Sequence, residues 1–327
     1  MTTTPQPTPQ PTPQTTPQPT TSLLLPWLQL VRLPTVFTAL ADILLGSLLV
    51  LPAVGVDRLP LLGLLLAASA GLYLSGMVFN DIFDRDRDAV ERPGRPLPSG
   101  QIRLGAAIVL GVLLMSGGVV AAAAVSQHTG SPASLCIAVA LAACVLGYDA
   151  WLKSTPLGPI AMGACRSLNV LLGATIAGSF QALDQGPPLH VAAGMGLYIA
   201  GVTWFARNEA GTSNQRQLTA AVLLINIGLA TLITFAGLAT ADIDQNATTS
   251  VLMLMALIVV SINRRLIAAI RDPRPERVQS GVGILLLSLV MIDATLALAA
   301  SGETAPALVI ASLLIPALVL RRWVPMT

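Results

Sequence analysis

The sequence predicts an all-α protein, a polytopic membrane helical bundle of nine to ten transmembrane helices, and three observations carry that reading. Apolar residues are 54% and charged residues only 10% of the 327, with a mean hydropathy of +0.75. A water-soluble domain usually carries about a quarter charged residues. Runs of about 20 apolar residues recur from Pro34 almost to the C-terminus, each long enough for a hydrocarbon core about 30 Å thick. The charges sit between these runs, mostly after alternate ones. No separate soluble domain is expected, so chemistry falls to helix ends and short loops.

Residues 1–21 are a tract of Thr, Pro and Gln that cannot bury a core, expected to be a disordered, polyproline-like tail. Residues 22–327 form the transmembrane domain. Leu23–Leu33 approaches the membrane first, and Arg32-Leu33-Pro34 lets a helix begin at the interface. Ten apolar spans follow, at 34–52, 59–80, 103–125, 132–149, 157–180, 189–207, 217–239, 249–268, 279–300 and 304–320. The last is short enough to be re-entrant, which would leave nine.

Charge placement favours ten. With the N-terminus cytoplasmic, the loops after even-numbered spans face inside; they, their flanks and the tails hold all but two of the 18 Lys and Arg residues. The opposite loops hold Arg58 with Asp57, Asp184, Asp242, Asp244 and Glu303, while Arg166 is intramembrane. This is the positive-inside pattern. Both termini are therefore expected to be cytoplasmic, and the expected setting is a bacterial inner membrane. Cys136, Cys144 and Cys165 lie in apolar stretches with no CxxC spacing and read as packing residues. His128 and His190 read as loop residues.

The segment that carries chemistry is Asn80-Asp81-Ile82-Phe83-Asp84-Arg85-Asp86-Arg87-Asp88, followed by ERPGRPLPSG at 91–100. It continues the second apolar span. On a helix, Asn80, Asp84, Asp88 and Asp81 fall at about 0°, 40°, 80° and 100°, with Asp86 at about 240° on the far side. Carboxylates crowded on one face repel each other unless a cation neutralises them. Oxygen ligands without His or Cys suit a hard cation such as Mg2+, which takes phosphate oxygens as further ligands. The plainer alternative is a solvated charge cluster where a helix leaves the membrane, with Arg85 and Arg87 pairing locally. That alternative gives the acids no reason to share a face.

Arg166 lies within the fifth span, where an unpaired charge costs at least ~2.5 kcal/mol. Asn169 is three residues on, on the same side. The pair is expected to face a central cavity and contact substrate. Asp42 and Asp293 are also intramembrane, and either could pair with Arg166, so a purely structural buried pair is the alternative.

NDIFDRDRDAVERPGRPLPSG closely resembles the first aspartate-rich motif of the UbiA superfamily of intramembrane prenyltransferases, NDxxDxxxD followed by a basic stretch and RPLPSG. LQLVRLPTVFTALADILLG at 28–46 resembles that family's opening segment, and YDAWLKSTPLGP at 148–159 its Tyr…Lys/Arg…Thr segment after the fourth span. The resemblance implies a bundle around a central cavity open sideways to lipid, with acidic motifs at its cytoplasmic mouth. It implies Mg2+ as cofactor, a prenyl diphosphate as one substrate and an acceptor that the sequence does not name; no nucleic acid partner is expected. On this resemblance Asn80, Asp84 and Asp88 are metal ligands, Asp84 and Asp88 being catalytic, and Asn80 and Asp81 contact substrate. Lys153, the only lysine, matches the family's basic position and is the first choice for phosphate contact, catalytic together with Arg166. Arg95 and Tyr148 are further candidates for diphosphate contact. For the basic residues the alternative is a topogenic charge.

Family members show a DxxYAxxD-like stretch at the end of the sixth span. Here Val202-Thr203-Trp204-Phe205-Ala206-Arg207-Asn208-Glu209 stands there, keeping the second acid as Glu209, an expected metal ligand, but replacing the first by Val202. The site for a second magnesium is half-built, and Asp149 could supply the missing carboxylate. The altered motif, with RNEAGTS at 207–213 and MIDATLALA at 291–299, is similar to a divergent branch represented by EboC-type proteins.

The mechanism the resemblance implies is electrophilic alkylation. Magnesium and basic residues neutralise the diphosphate, the allylic C–O bond ionises, and the acceptor captures the carbocation. A secondary transporter is the competing class, but transporter sites sit near the bilayer midplane, whereas these acids cluster at helix ends. The DGxxAR-type segment of CDP-alcohol phosphotransferases is absent. A prenyl-diphosphate cyclase of the same superfamily would need no acceptor.

Overall fold

Proline and glycine mark the boundaries between apolar runs, and the helices start and stop there. In the computed structural model, which describes residues 24–184, 186–207, 214–241 and 245–324, Pro60, Pro159, Pro187 and Pro275 open helices where the missing N–H costs nothing. Gly130 and Gly302 close α-helices in left-handed conformation, at φ 68° and 70°. The tail at 1–21, Asp242, Asp244 and Glu209 lie outside the described residues.

The helices are α1 (Leu25–Leu30), α2 (Val36–Val50), α3 (Leu59–Phe83), α4 (Arg85–Glu91), α5 (Leu104–Thr129), α6 (Ala133–Ala150) and α7 (Gly158–Ala174). They continue with α8 (Phe180–Asp184), α9 (Pro187–Ala206), α10 (Gln215–Thr240), α11 (Gln245–Arg271), α12 (Pro275–Ser301), α13 (Thr304–Ser312) and α14 (Leu314–Leu320). Among the described residues, 9 helices are long and apolar enough to cross a membrane. The tenth expected span, 304–320, is shorter and splits at Leu313, where the helix tightens and the Leu313 N–H donates to Ile310. His128 and His190, expected in loops, instead sit in the last turn of α5 and the first turn of α9. The His190 ring reaches the Thr231 carbonyl at 2.8 Å.

Each long helix packs on the next, and α12 returns to α2, so the nine close into a ring. Burial follows position: two-thirds of the apolar windows of α2 and α12 are buried, against 22% for α5 and α11. The outer faces of α5 and α11 expose Val109, Val112, Leu113, Met253 and Leu257, side chains suited to lipid.

Without a hydrophobic drive between helices in lipid, close backbone approach supplies the packing. Gly46 on α2 lies against the Val170 carbonyl, and a Cβ at Gly173 on α7 would come within 2.5 Å of the Ile43 carbonyl. This crossing brings Asp42 beside Asn169 and Arg166. A Cβ at Gly71 would meet the Leu114 carbonyl at 2.6 Å, so α3 and α5 are equally close. α3 carries the acidic motif out of the membrane.

Candidate active site

The acidic segment is not one continuous helix. α3 ends at Phe83, Asp84 stands at the junction with φ −88° and ψ 0°, and α4 restarts at Arg85. The expected continuous helix is corrected here. The face survives the break, because the Asp84 N–H still donates to Asn80 and the Asp88 N–H to Asp84. Asp81, Asp84 and Asp88 are buried at 4%, 8% and 2% exposure, while Asp86 is exposed.

The buried acids face different partners. Asp88 accepts from Arg95 at 2.6 Å, and Asp81 accepts from Arg32 at 2.8 Å and from Arg95 at 3.4 Å. Neither acid lines the cavity beside them. Asn80 and Asp84 do. Lys153 Nζ lies 2.8 Å from Asp84 Oδ1, an ion pair that leaves the buried ammonium donors to spare. Arg87 approaches the other Asp84 oxygen at 3.4 Å and Glu91 at 3.7 Å.

Arg32 was legible in the sequence only as an interfacial charge. Among the described residues it is the one non-glycine at positive φ, 46°. A left-handed arginine costs of order 1 kcal/mol or more, and here it holds the guanidinium on Asp81 and lining the cavity. Pro34, two residues on, was the only signal the sequence offered.

The cavity measures about 740 Å³. Its polar part includes Asn80, Asp84, Asp149, Lys153 and Tyr148, and Leu72, Met77, Leu141, Met162, Ile199 and Leu289 line it as well. The Tyr148 hydroxyl has no hydrogen-bond partner among the described residues. Asn80 Nδ2 donates to Asp149 Oδ1 at 3.0 Å. α2, α3, α6, α7, α9 and α12 all contribute to the wall, which is why no one sequence segment spells the site.

Midway along α7, Arg166 and Asn169 line the same cavity. Arg166 Nε lies 2.8 Å from Asp42 Oδ2, and its Nη2 donates to the Thr38 carbonyl at 2.9 Å. Asp293 is farther, at 4.0 Å from Nη2, and neither of its oxygens has a hydrogen-bond donor. Asn169 donates to Asp42 and to the Ala39 carbonyl, both at 2.9 Å, and accepts from Ser69 at 2.7 Å. Of the two expected partners of Arg166, Asp42 makes the direct pair.

Among the described residues no three His, Cys, Asp or Glu side chains converge into a ligand cluster. The mouth of the cavity offers the carboxylates of Asp84 and Asp149 and the amide of Asn80, a set magnesium uses when substrate phosphates and water complete its shell. A cationic ammonium already rests on Asp84, so positive charge is stable at that point.

The ring of helices has a counterpart among known proteins. The UbiA prenyltransferase family model matches residues 39–326. The chain belongs to the UbiA prenyltransferase family. A digeranylgeranylglyceryl phosphate synthase of Methanothrix thermoacetophila is 38% identical over 101 residues, 30% of this chain and 35% of that protein. The chain thus matches about a third of the length of that curated relative. The apo structure of a UbiA homologue from Aeropyrum pernix K1 aligns with a TM-score of 0.64 at 21% identity, over 80% of this chain and 96% of that one. A UbiA homologue from Archaeoglobus fulgidus, solved with GPP and Mg2+, gives 0.59 at 14% identity, over 88% of this chain and 99% of that one. At these identities the solved structures speak for the fold. UbiA membership and the nine apolar helices make this an integral, multi-pass membrane protein and set the transporter alternative aside. All three relatives are archaeal, so the bacterial setting has no support from them; the EboC-type likeness rests on its two sequence segments.

Proposed function

We propose that this UbiA-family protein transfers a prenyl group from a magnesium-bound prenyl diphosphate to an acceptor held in the same cavity. The observation that carries it is one cavity whose polar end has Asn80, Asp84 and a buried, donor-rich Lys153, and whose wall also includes the apolar Leu72, Leu141, Leu289, Met77, Met162 and Ile199. A diphosphate fits the first and an isoprenoid chain the second. The Archaeoglobus homologue solved with GPP and Mg2+ supports the same ligand class.

Asn80 and Asp84 would hold magnesium, with Asp88 available where Arg95 releases it and Glu209 the acid expected from the opposite helix. Bound magnesium would supply positive charge to the diphosphate leaving group. Lys153 donates to the phosphate oxygens and, already in place, needs no reorganisation as charge develops. Arg95 and Arg32 are engaged with Asp81 and Asp88, so they fix the motif's position more than they contact phosphate. Tyr148 offers an unspent hydroxyl beside Lys153. The apolar wall excludes the water that would quench an allylic cation. Arg166 and Asn169, deeper in the cavity, orient the acceptor. The charge distribution supports both termini in the cytoplasm, with the diphosphate entering from that side.

Incubating membranes that contain the protein with labelled prenyl diphosphates and a panel of aromatic, quinone, haem, sugar-like and glycerol-phosphate acceptors tests this reading. A labelled product that needs both Mg2+ and an acceptor is expected. Diphosphate release with a cyclic product and no acceptor would move the assignment to a cyclase.

A further inference from the structure

We propose that Asp149 is a direct ligand of the diphosphate-bound dication, alongside Asn80 and Asp84; this rests on the reading above. Asp149 closes α6, is 3% exposed and lines the cavity. Its one described partner is neutral, the Asn80 amide at 3.0 Å. No Lys or Arg among the described residues forms an ion pair with it. The neighbouring acids are all compensated: Asp84 by Lys153, Asp88 by Arg95, Asp81 by Arg32. Lys153 is only four positions along the chain from Asp149, yet its ammonium turns to Asp84.

A buried carboxylate without an ion-pair partner is unfavourable, and this one lines the space where the proposed substrate brings a cation. The hydrogen bond to Asn80 fits the same role. It uses the amide nitrogen as donor to Asp149, and the amide oxygen, which accepts no hydrogen bond among the described residues, is left as a second oxygen ligand. Asp84 and Asp149, from α3 and α6, then supply two carboxylates and Asn80 a neutral oxygen, within what magnesium takes from protein when phosphates fill the rest. Val202, at the position where an acid is lacking, lines the same cavity at 4% exposure. The charge that position omits is present on α6 instead.

The test uses the full chain in detergent, Mn2+ as probe and a non-hydrolysable prenyl thiolodiphosphate, with free Mn2+ read by electron paramagnetic resonance. Asp149→Asn keeps an acceptor for Asn80 and removes only the charge; Asp149→Ala removes both. If Asp149 is a ligand, Asp149→Asn weakens analogue-dependent Mn2+ binding by at least about tenfold, the scale seen even for groups one shell further out, while the melting temperature holds. Wild-type affinity in Asp149→Asn with loss only in Asp149→Ala would make Asp149 a positioning residue for Asn80 and overturn the proposal. Equal binding in all three also overturns it, leaving the prenyltransferase reading intact. Failure of the wild type to bind Mn2+ with the analogue would instead remove that reading and this one together.

Discussion

The only lysine of the chain, Lys153, rests 2.8 Å from Asp84, the residue at which the acidic helix breaks. The contact joins the loop after α6 to the end of α3. Its ammonium is buried and has donors to spare. Lys153→Met is therefore expected to lower kcat/KM by ~100-fold or more, the loss typical of one preorganised donor to a developing charge. Lys153→Arg should recover part of it. Steady-state kinetics with Mg2+ held saturating decides this; an unchanged kcat/KM in Lys153→Met would reduce the lysine to a topogenic charge.

Asp84, Asp86 and Asp88 should now separate three ways. Asp84→Ala is expected to abolish Mg2+-dependent diphosphate binding, and Asp86→Ala, altering an exposed side chain, to leave it near wild type. Asp88→Ala takes from Arg95 its 2.6 Å partner and leaves it only Asp81 at 3.4 Å, so the first effect is on stability, at most about 3 kcal/mol for a buried pair broken on one side. Calorimetric titration and thermal unfolding of the three purified variants measure both quantities. Equal damage to binding from all three would mean that burial does not mark the working face.

Arg166 neutralises Asp42 directly and Asp293 at longer range. Arg166→Met leaves two buried carboxylates without a cation and is expected to destabilise the protein by about 3–5 kcal/mol. Asp293→Asn should cost far less, because neither Asp293 oxygen has a donor to lose. Adding Asp42→Asn to Arg166→Met should restore much of the stability. A double-mutant cycle on thermal unfolding reads the coupling, and additive effects would show that the pair does not act as one unit.

A reporter fused after Arg322 should appear in the cytoplasm if 304–320 crosses the membrane. The broken helix at Leu313 makes this the least regular of the spans. A reporter on the opposite side would leave nine crossings, with α13 and α14 lying against α12 and α2 without traversing.

The amino-acid sequence by itself determined the membrane class, the helix positions and the shared face of Asp81, Asp84 and Asp88. Hydrophobic run length and helical period are local properties, and a bilayer leaves helices as the only way to satisfy backbone groups within such a chain. It also singled out Arg166, since a lone charge in an apolar run is visible without any partner. The partners were decided only in three dimensions. Asp42 rather than Asp293 pairs with Arg166 because Gly46 and Gly173 let α2 and α7 approach to backbone contact. Asp88 meets Arg95 while Asp84 meets Lys153 because the two cations arrive from separate loops, after α4 and after α6, whose return to the motif no periodicity can register. Asp149 and Asn80 met across α6 and α3, 69 positions apart, where spacing along the chain carries no information about distance.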